Sequence, residues 1–320
     1  MTSDYFLPAC KNNSTHYYQQ YLHAILSKTL PEEMQSVKVD GDILDDGLLK
    51  SYWECFTKDV VFQSCLDTIV EMWAVLRSSC KQLFSTKSSI LPIVRSSRNN
   101  KVVELLHSLG MPLLEEWMPI DAQRFCPQIN QHSKMLQNLA NLHKQSPIKI
   151  SPDATNTLLN YFHAINLKDE PQCVQLIRGM PFFQDISGNW IELSDREAYI
   201  CPQNILTDGI SACLHGSRAV LLDYHGVWKH YFEPSHLGVH EIQPEEVYTE
   251  FIFNKFSSLI EQQRYSHLKY IRDVLYGECC RKLHIRTVPI YVKAQEFINK
   301  LKILKCLGPD CSELKAISDM

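Results

Sequence analysis

The chain has 320 residues, and its apolar fraction of 45% and charged fraction of 21% are ordinary for a globular protein. A net charge of −4 argues against a general attraction to nucleic acid, because that attraction needs a surplus of Lys and Arg. No apolar run approaches the length that crosses a bilayer. We therefore expect neither nucleic acid nor a membrane as a partner, and a chain of two or three domains.

Twelve cysteines are present, but their spacing fits neither a zinc site nor a disulfide framework. No C-x-x-C pair occurs, and structural zinc sites need such paired ligands. The first residues lack the basic region and apolar run of a secretory signal peptide. The cysteines are therefore predicted to be reduced and mostly buried residues of a cytoplasmic protein, which needs no cofactor.

In the first half of the chain, short predicted elements follow one another between polar turns. Apolar residues at helical spacing predict a helix at residues 14–30, which Pro31 ends, and a long helix from Leu48 to Val75. Residues 74–85 predict a hairpin, and Pro92 restricts the next strand to a sheet edge or places the proline at a strand start. Further helices are predicted at residues 100–110, 128–144 and 151–165, the last with Ser151 as its N-cap.

In the second half, residues 177–197 predict a strand, a tight turn and a second strand. Because the predicted strands are short and come in pairs, we expect an α+β fold that is rich in helices and contains small mixed sheets. A parallel doubly wound sheet would instead need a buried apolar strand after each helix. The other predictions are strands at residues 198–204 and 217–225, and helices that begin at Pro244, end at Gly277 and cover residues 292–307.

The strand–turn–strand segment recurs further along the chain. A shift of 124 positions places Ile177 on Leu301 and Phe183 on Leu307. Both segments predict a helix, an apolar strand, a polar turn and a second strand, and the residues from Met72 onwards predict a third, looser copy. We therefore expect a helical or α+β N-terminal part at residues 1–150, a repeat-like α+β module at 151–280 and the start of a further unit at 281–320.

The segment LIRGMPFFQDISGNWIEL, residues 176–193, resembles the strand–turn–strand signature of the sacsin family of giant co-chaperones. The segments SILPIVRS, LHSLGMPLLEE, IQPEEVYTEFIFNKFSSL and ELKAISDM also resemble sequences of that family. The resemblance covers most of residues 40–320. It implies a role in protein folding and quality control in the cytoplasm, with client proteins as partners.

Sacsin-like proteins combine large repeats, which open with an ATPase-like domain, with ubiquitin-like, J and HEPN domains. This chain has only 11 Gly and no Gly-rich nucleotide loop, and it lacks the His-Pro-Asp tripeptide of J domains. Arg264 and His267 are too close in sequence to match the HEPN pair. The resemblance therefore implies a non-catalytic segment from the non-nucleotide part of a repeat. Seventy-kilodalton heat-shock chaperones and the proteasome are expected to bind the family through domains absent here.

Residues 223–241 give the main alternative, because four histidines lie there among three acidic residues. Imidazole and carboxylate together bind zinc or iron, so these residues favour a stand-alone α/β metalloenzyme as the second hypothesis. The residues concerned are His225, His230, His236 and His240, with Asp223, Glu233 and Glu241.

Two smaller sets of residues are candidates for catalysis. Ser217, His225 and Asp223 would form a hydrolase triad if the fold brought them together. Glu245 and Glu246 follow Pro244, a position that favours the first turn of a helix over a catalytic pair. We therefore assign no catalytic, cofactor-binding or metal-ligating residue, and an inert scaffold that binds partner helices through aromatic faces is a third hypothesis.

Overall fold

The computed structural model describes residues 46–58, 60–64, 66–72, 74–95, 100–202, 205–285, 288–307 and 315–316. The chain divides into two compact units, residues 1–165 and 166–320, and the described part of each contains a hydrophobic core. None of the described helices is long and apolar enough to cross a membrane. The helix predicted at residues 14–30 lies outside the described residues, and the predicted boundaries at 150 and 280 stay predictions.

Unit 1, residues 1–165, is built mainly from helices around one short hairpin. In its core Trp53, Phe56 and Phe62 meet edge to face, and the Trp53 indole donates a hydrogen bond to the carbonyl oxygen of Val75 at 2.9 Å. The described elements are α1 (Asp46–Lys58), α2 (Val60–Ser64), α3 (Leu66–Met72), β1 (Leu76–Arg77), β2 (Leu83–Phe84), α4 (Asn100–Ser108), α5 (Ile120–Gln123), α6 (His132–Gln145) and α7 (Pro152–Phe162).

All described residues of the predicted helix from Leu48 to Met72 are helical, in α1, α2 and α3. The helix does not reach the predicted end at Val75, because Val75 leads directly into β1, whose two residues are buried. Ser151 does cap α7 as predicted, since its hydroxyl oxygen accepts the N–H of Ala154 at 3.3 Å.

Unit 2, residues 166–320, surrounds a small sheet with helices, some of which contain 3-10 or π turns. Its described elements are α8 (Pro171–Arg178), β3 (Phe183–Gln184), β4 (Trp190–Ile191), β5 (Glu197–Ile200), α9 (Ile210–Leu214), β6 (Ala219–Leu222), 3-10 helices at Val227–His230 and Pro234–Leu237, β7 (Val239–Glu241), α10 (Pro244–Val247), a π turn at Tyr248–Ile252, a 3-10 helix at Phe253–Ser258, α11 (Glu261–Tyr270), a π turn at Ile271–Leu275, α12 (Tyr276–Ile285), α13 (Val288–Ile303), β8 (Lys305–Leu307) and β9 (Lys315–Ala316).

The described strands form one three-stranded and three two-stranded sheets among the helices, which confirms the predicted α+β class. The larger sheet, in the order β6–β5–β7, is parallel, because helical crossovers return the chain between its strands. The predicted helix end at Gly277 is wrong, since α12 runs through it. Glycine costs a helix about 1 kcal/mol. The burial of Leu275 and Cys279 on either side offsets that cost.

A helix followed by a two-stranded antiparallel hairpin occurs three times in the described chain, as α3–β1–β2, α8–β3–β4 and α13–β8–β9. This confirms the recurring unit that the sequence predicted. In each hairpin, two residues that face each other lie eight positions apart in sequence: Leu76 and Phe84, Phe183 and Ile191, and Leu307 and Lys315. The predicted shift of 124 positions places Phe183 on Leu307 and Ile191 on Lys315.

Units 1 and 2 also share an extended segment, later in the chain, that pairs with the hairpin. A shift of 108 positions places Leu113-Leu114-Glu115 of unit 1 on Leu221-Leu222-Asp223 of unit 2. Two equivalent backbone hydrogen bonds join hairpin and strand in both units, so one helix–hairpin–strand unit is built twice. In unit 1, Ser79 donates its N–H to the carbonyl oxygen of Leu113 (2.8 Å), and Glu115 donates to that of Arg77 (2.9 Å). In unit 2, Ile186 donates its N–H to the carbonyl oxygen of Leu221 (3.1 Å), and Asp223 donates to that of Gln184 (2.9 Å).

Candidate functional site

The histidine-rich segment at residues 223–241 is spread over several elements of unit 2. It follows β6 as a turn, two 3-10 helices and β7. Three of its histidines, His225, His230 and His240, are exposed, and His236 is half-buried. Among the residues that the structure describes, no three His, Cys, Asp or Glu side chains lie where they could hold one metal ion. The metalloenzyme hypothesis therefore finds no ligand set in this segment.

The three residues considered as a hydrolase triad are not brought together. Ser217 precedes β6 and His225 follows it, and the four residues of that strand alone span roughly 10 Å. The Ser217 hydroxyl donates to the carbonyl oxygen of Leu214 at 2.7 Å, and the Asp223 carboxylate accepts the backbone N–H of His225 at 3.0 Å. Both side chains therefore stabilise turns.

Glu245 and Glu246 have structural roles in the first turn of α10, as their position after Pro244 predicted. The Glu246 carboxylate accepts the backbone N–H of Gln243 at 3.0 Å, which satisfies a donor at the helix start. The Glu245 carboxylate is buried and forms an ion pair with Lys282 of α12 at 2.5 Å. Sequence reasoning missed this second contact, because nothing local relates residues so far apart in the chain.

Arg264 and His267 lie on α11 and face the core of unit 2. The His267 ring bridges two groups, the Tyr248 hydroxyl at Nδ1 (2.7 Å) and the carbonyl oxygen of Asp208 at Nε2 (2.7 Å). A carbonyl only accepts, so Nε2 carries the hydrogen and Nδ1 accepts from Tyr248. Burial lowers the pKa of His267 and raises the pKa of Tyr248. Arg264 donates to the carbonyl oxygen of Leu259 at 3.0 Å, so this cluster stabilises the core and offers no reacting group to solvent.

One face of α13 is apolar and uncovered. The opposite face of this helix fills the core of unit 2 with Ala294, Phe297, Ile298 and Leu301, at the spacing of a buried helical stripe. The helix is apolar on its outer side as well, where Tyr291 is 40%, Val292 53% and Ile303 69% exposed. We call this outer side the α13 surface; it is lined by Tyr291, Val292, Gln295, Glu296, Asn299, Lys300 and Ile303.

The α13 surface is a shallow groove of about 570 Å³ with an apolar body and a polar margin. Lys300 and Glu296 form an ion pair at 3.0 Å, and the Lys300 ammonium also donates to the carbonyl oxygen of Thr249 at 3.1 Å. These contacts hold both charged heads at the margin. The remaining apolar side chains of the groove contribute uncovered surface of the kind that marks interaction sites.

The sequence predicted a helix at residues 292–307, whereas α13 covers Val288–Ile303 and Lys305–Leu307 form β8. It did not predict which aromatic residues are exposed. Trp53 and Trp228 are buried, and Trp117 and Trp190 are half-buried, so the large described indoles serve the cores. The exposed aromatic residue of the groove is Tyr291. A helix that is apolar on two opposite faces was the signal available in the sequence, since one core can cover only one of them.

Comparison with known proteins adds no assignment to this geometry. No protein-family model, no curated protein and no solved structure matches the chain. The resemblance to the sacsin family therefore stays a prediction, and the function is inferred from the residues of the chain itself.

Proposed function

We propose that this chain is a non-catalytic, client-facing segment of a sacsin-like co-chaperone, which acts in protein folding and quality control in the cytoplasm. In this role the repeated helix–hairpin–strand units maintain a fixed geometry, and the α13 surface contacts exposed apolar segments of client proteins. Any contact with seventy-kilodalton heat-shock chaperones or the proteasome belongs to other domains of such a protein.

The observation that carries the proposal is the α13 surface. Tyr291, Val292 and Ile303 lie on one side of a helix whose other side is fully used by the core. Burying apolar area contributes about 25 cal/mol per Å², so a groove of this kind binds apolar segments without a specific polar code. Gln295 and Asn299 also line the groove, and their side-chain amides can donate hydrogen bonds to a client backbone or accept them.

The sequence supports the proposal independently of this surface. The segment at residues 176–193 carries the family-like signature, and the same helix and hairpin open two further segments of the chain. Repeated structural units are typical of the scaffolding parts of large proteins.

The test is binding of a permanently unfolded client to the full chain. Reduced, carboxymethylated α-lactalbumin with a fluorescent label is titrated with the protein, and anisotropy reports binding. The triple variant Tyr291→Ser, Val292→Ser, Ile303→Ser is expected to weaken binding by about tenfold or more, because each buried apolar side chain contributes more than 1 kcal/mol.

A matched control removes three apolar side chains that are exposed elsewhere, with the variant Val60→Ser, Ile120→Ser, Ile260→Ser. This variant is expected to bind the client as the natural protein does. Equal binding by the α13 variant would contradict the proposal, and no binding by the natural protein would favour the inert scaffold. Thermal unfolding of both variants checks that the fold is retained.

A further inference from the structure

The α13 surface has an order of residues that is similar in both directions along the helix. Its central line consists of four residues at spacings of four, three and four positions: Val292, Glu296, Asn299 and Ile303. At 3.6 residues per turn, these side chains project within about 60° of one another. The ends of the line are apolar and its middle is polar, so a reversed second helix matches apolar to apolar residues and polar to polar residues.

The charges beside this line are also complementary when the second helix is reversed. Lys300 lies on the Glu296 side of the line, where the two side chains form an ion pair at 3.0 Å within the helix. In an antiparallel pair with a twofold axis, residues on the same side of the two helices meet, and each contact occurs twice. Glu296 of one copy then meets Lys300 of the other. A parallel pair would instead place Glu296 on Glu296, which is unfavourable because like charges repel.

The amide side chains on the other side of the line are complementary in the same way. The Gln295 Nε2 donates to the Asn299 Oδ1 at 3.0 Å, and among the described residues neither amide makes another hydrogen bond. The reversed copy places Asn299 opposite Gln295, because the two lie equally far in sequence from Phe297. The Asn299 Nδ2, a donor, then meets the Gln295 Oε1, an acceptor, on each side of the axis.

We propose that a second copy of this chain covers the α13 surface, with the two α13 helices packed antiparallel about a twofold axis near Phe297. Val292 of each copy contacts Ile303 of the other, and Glu296 pairs with Lys300 between the copies. The seven residues that line the groove are few beside the roughly 20–30 residues a side of a stable interface. The dimer is therefore weak and reversible, with a Kd of about 10 µM to 1 mM.

The dimer has a consequence for client binding. Because both copies bury their α13 surfaces, the dimer cannot bind a client there, and a client competes with the second copy. This competition rests on the proposed function, whereas the pairing of the two helices does not.

Sedimentation equilibrium of the full chain tests the pairing. The natural protein is expected to dimerise reversibly below about 1 mM, and Val292→Asp is expected to weaken the dimer by about tenfold or more, because it buries a charge against Ile303. Val60→Asp changes an apolar residue of unit 1 that is 78% exposed, and it is expected to leave the dimer unchanged. The proposal is overturned if the natural protein stays monomeric at about 1 mM or if Val292→Asp dimerises normally.

A reversal of charges tests the antiparallel orientation. The variant Glu296→Lys, Lys300→Glu is expected to pair with itself, since each new lysine meets a new glutamate, but not with the natural chain, where like charges meet. Energy transfer between chains that carry donor or acceptor dyes at the amino terminus reports mixed dimers. The matched control, Glu54→Lys, Lys58→Glu, reverses an exposed ion pair of α1 and is expected to form mixed dimers with the natural chain. Mixed dimers of the first variant with the natural chain would contradict the antiparallel pairing.

The client measurement separates the pairing from the proposed function. A natural chain that stays monomeric but binds labelled α-lactalbumin would overturn the pairing and leave the proposed function intact. A natural chain that dimerises but binds no client would do the reverse. Where both occur, saturating client is expected to dissociate the dimer, and a dimer that persists with client bound to α13 would show that its interface lies elsewhere. Thermal unfolding of each variant checks that its fold is retained.

Discussion

The side-chain amide of Asn138 binds both backbone groups of Leu91, accepting its N–H at 2.8 Å and donating to its carbonyl oxygen at 2.7 Å. Asn138 lies on α6 and is buried. A carboxamide has the same donor and acceptor as a peptide group, so the side chain of Asn138 pairs with Leu91 as a neighbouring strand would.

Replacing Asn138 with Leu is expected to lower the free energy of unfolding by about 1–3 kcal/mol, because two buried backbone groups of Leu91 lose their partners. Asn138→Asp keeps the acceptor and loses the donor, so it too is expected to destabilise. Urea unfolding measures the change, with Lys134→Ala on an exposed side of α6 as the control. An Asn138→Leu protein as stable as the natural one would show that water satisfies Leu91 instead.

Arg178 joins three segments of unit 2 at the end of α8. Its guanidinium donates to three backbone carbonyl oxygens, those of Leu193 (3.0 Å), Arg196 (2.6 Å) and Leu237 (2.5 Å). Lysine has a compact ammonium that cannot reproduce this planar fork, so Arg178→Lys is expected to cost about 1–3 kcal/mol. Thermal and urea unfolding check the loss against Arg281→Lys, and equal midpoints for the two variants would contradict the prediction.

The buried His267 makes the stability of the protein depend on pH. Burial lowers its pKa below the ordinary value of 6.5, so the unfolded chain binds the proton more readily than the folded one. The contribution is fully present above that value and is lost as the pH falls below it, at no more than about 1.4 kcal/mol per pH unit. His267→Gln keeps a donor for Asp208 and an acceptor for Tyr248 but does not titrate.

The measurement is urea unfolding of the natural protein and of His267→Gln between pH 8 and about pH 5. The natural protein is expected to lose more stability than the variant over this range. Parallel curves for the two proteins would mean that His267 accepts its proton without disturbing the fold.

Removing one partner of the buried ion pair between Glu245 and Lys282 is expected to lower the stability of the protein. The two side chains are 3% and 19% exposed, so Lys282→Met leaves a carboxylate without its partner in the core, at a cost of about 3–5 kcal/mol. Adding Glu245→Gln is expected to restore part of that stability. Lys58→Met at the exposed Glu54 pair is the control and is expected to change stability by less than about 1 kcal/mol. A double variant less stable than Lys282→Met would contradict this account.

The predictions that held rest on local properties of the chain. The cap at Ser151 and the helix start at Pro244 follow from backbone chemistry within a few residues. The hairpin at Phe183–Ile191 follows from a polar turn between apolar segments, and its recurrence at Leu307–Lys315 follows from the same pattern. The prediction of a helix end at Gly277 was wrong because the burial of Leu275 and Cys279 outweighed the low helix propensity of glycine.

What the sequence alone determined is therefore the α+β class and the recurring helix–hairpin unit, since apolar spacing and turn residues act over short distances. Only the tertiary structure decided that Tyr291 is exposed while Phe297 of the same helix is buried, and that His267 lies in the core. Exposure and pairing depend on which distant segments cover a given face, and no local pattern encodes that choice.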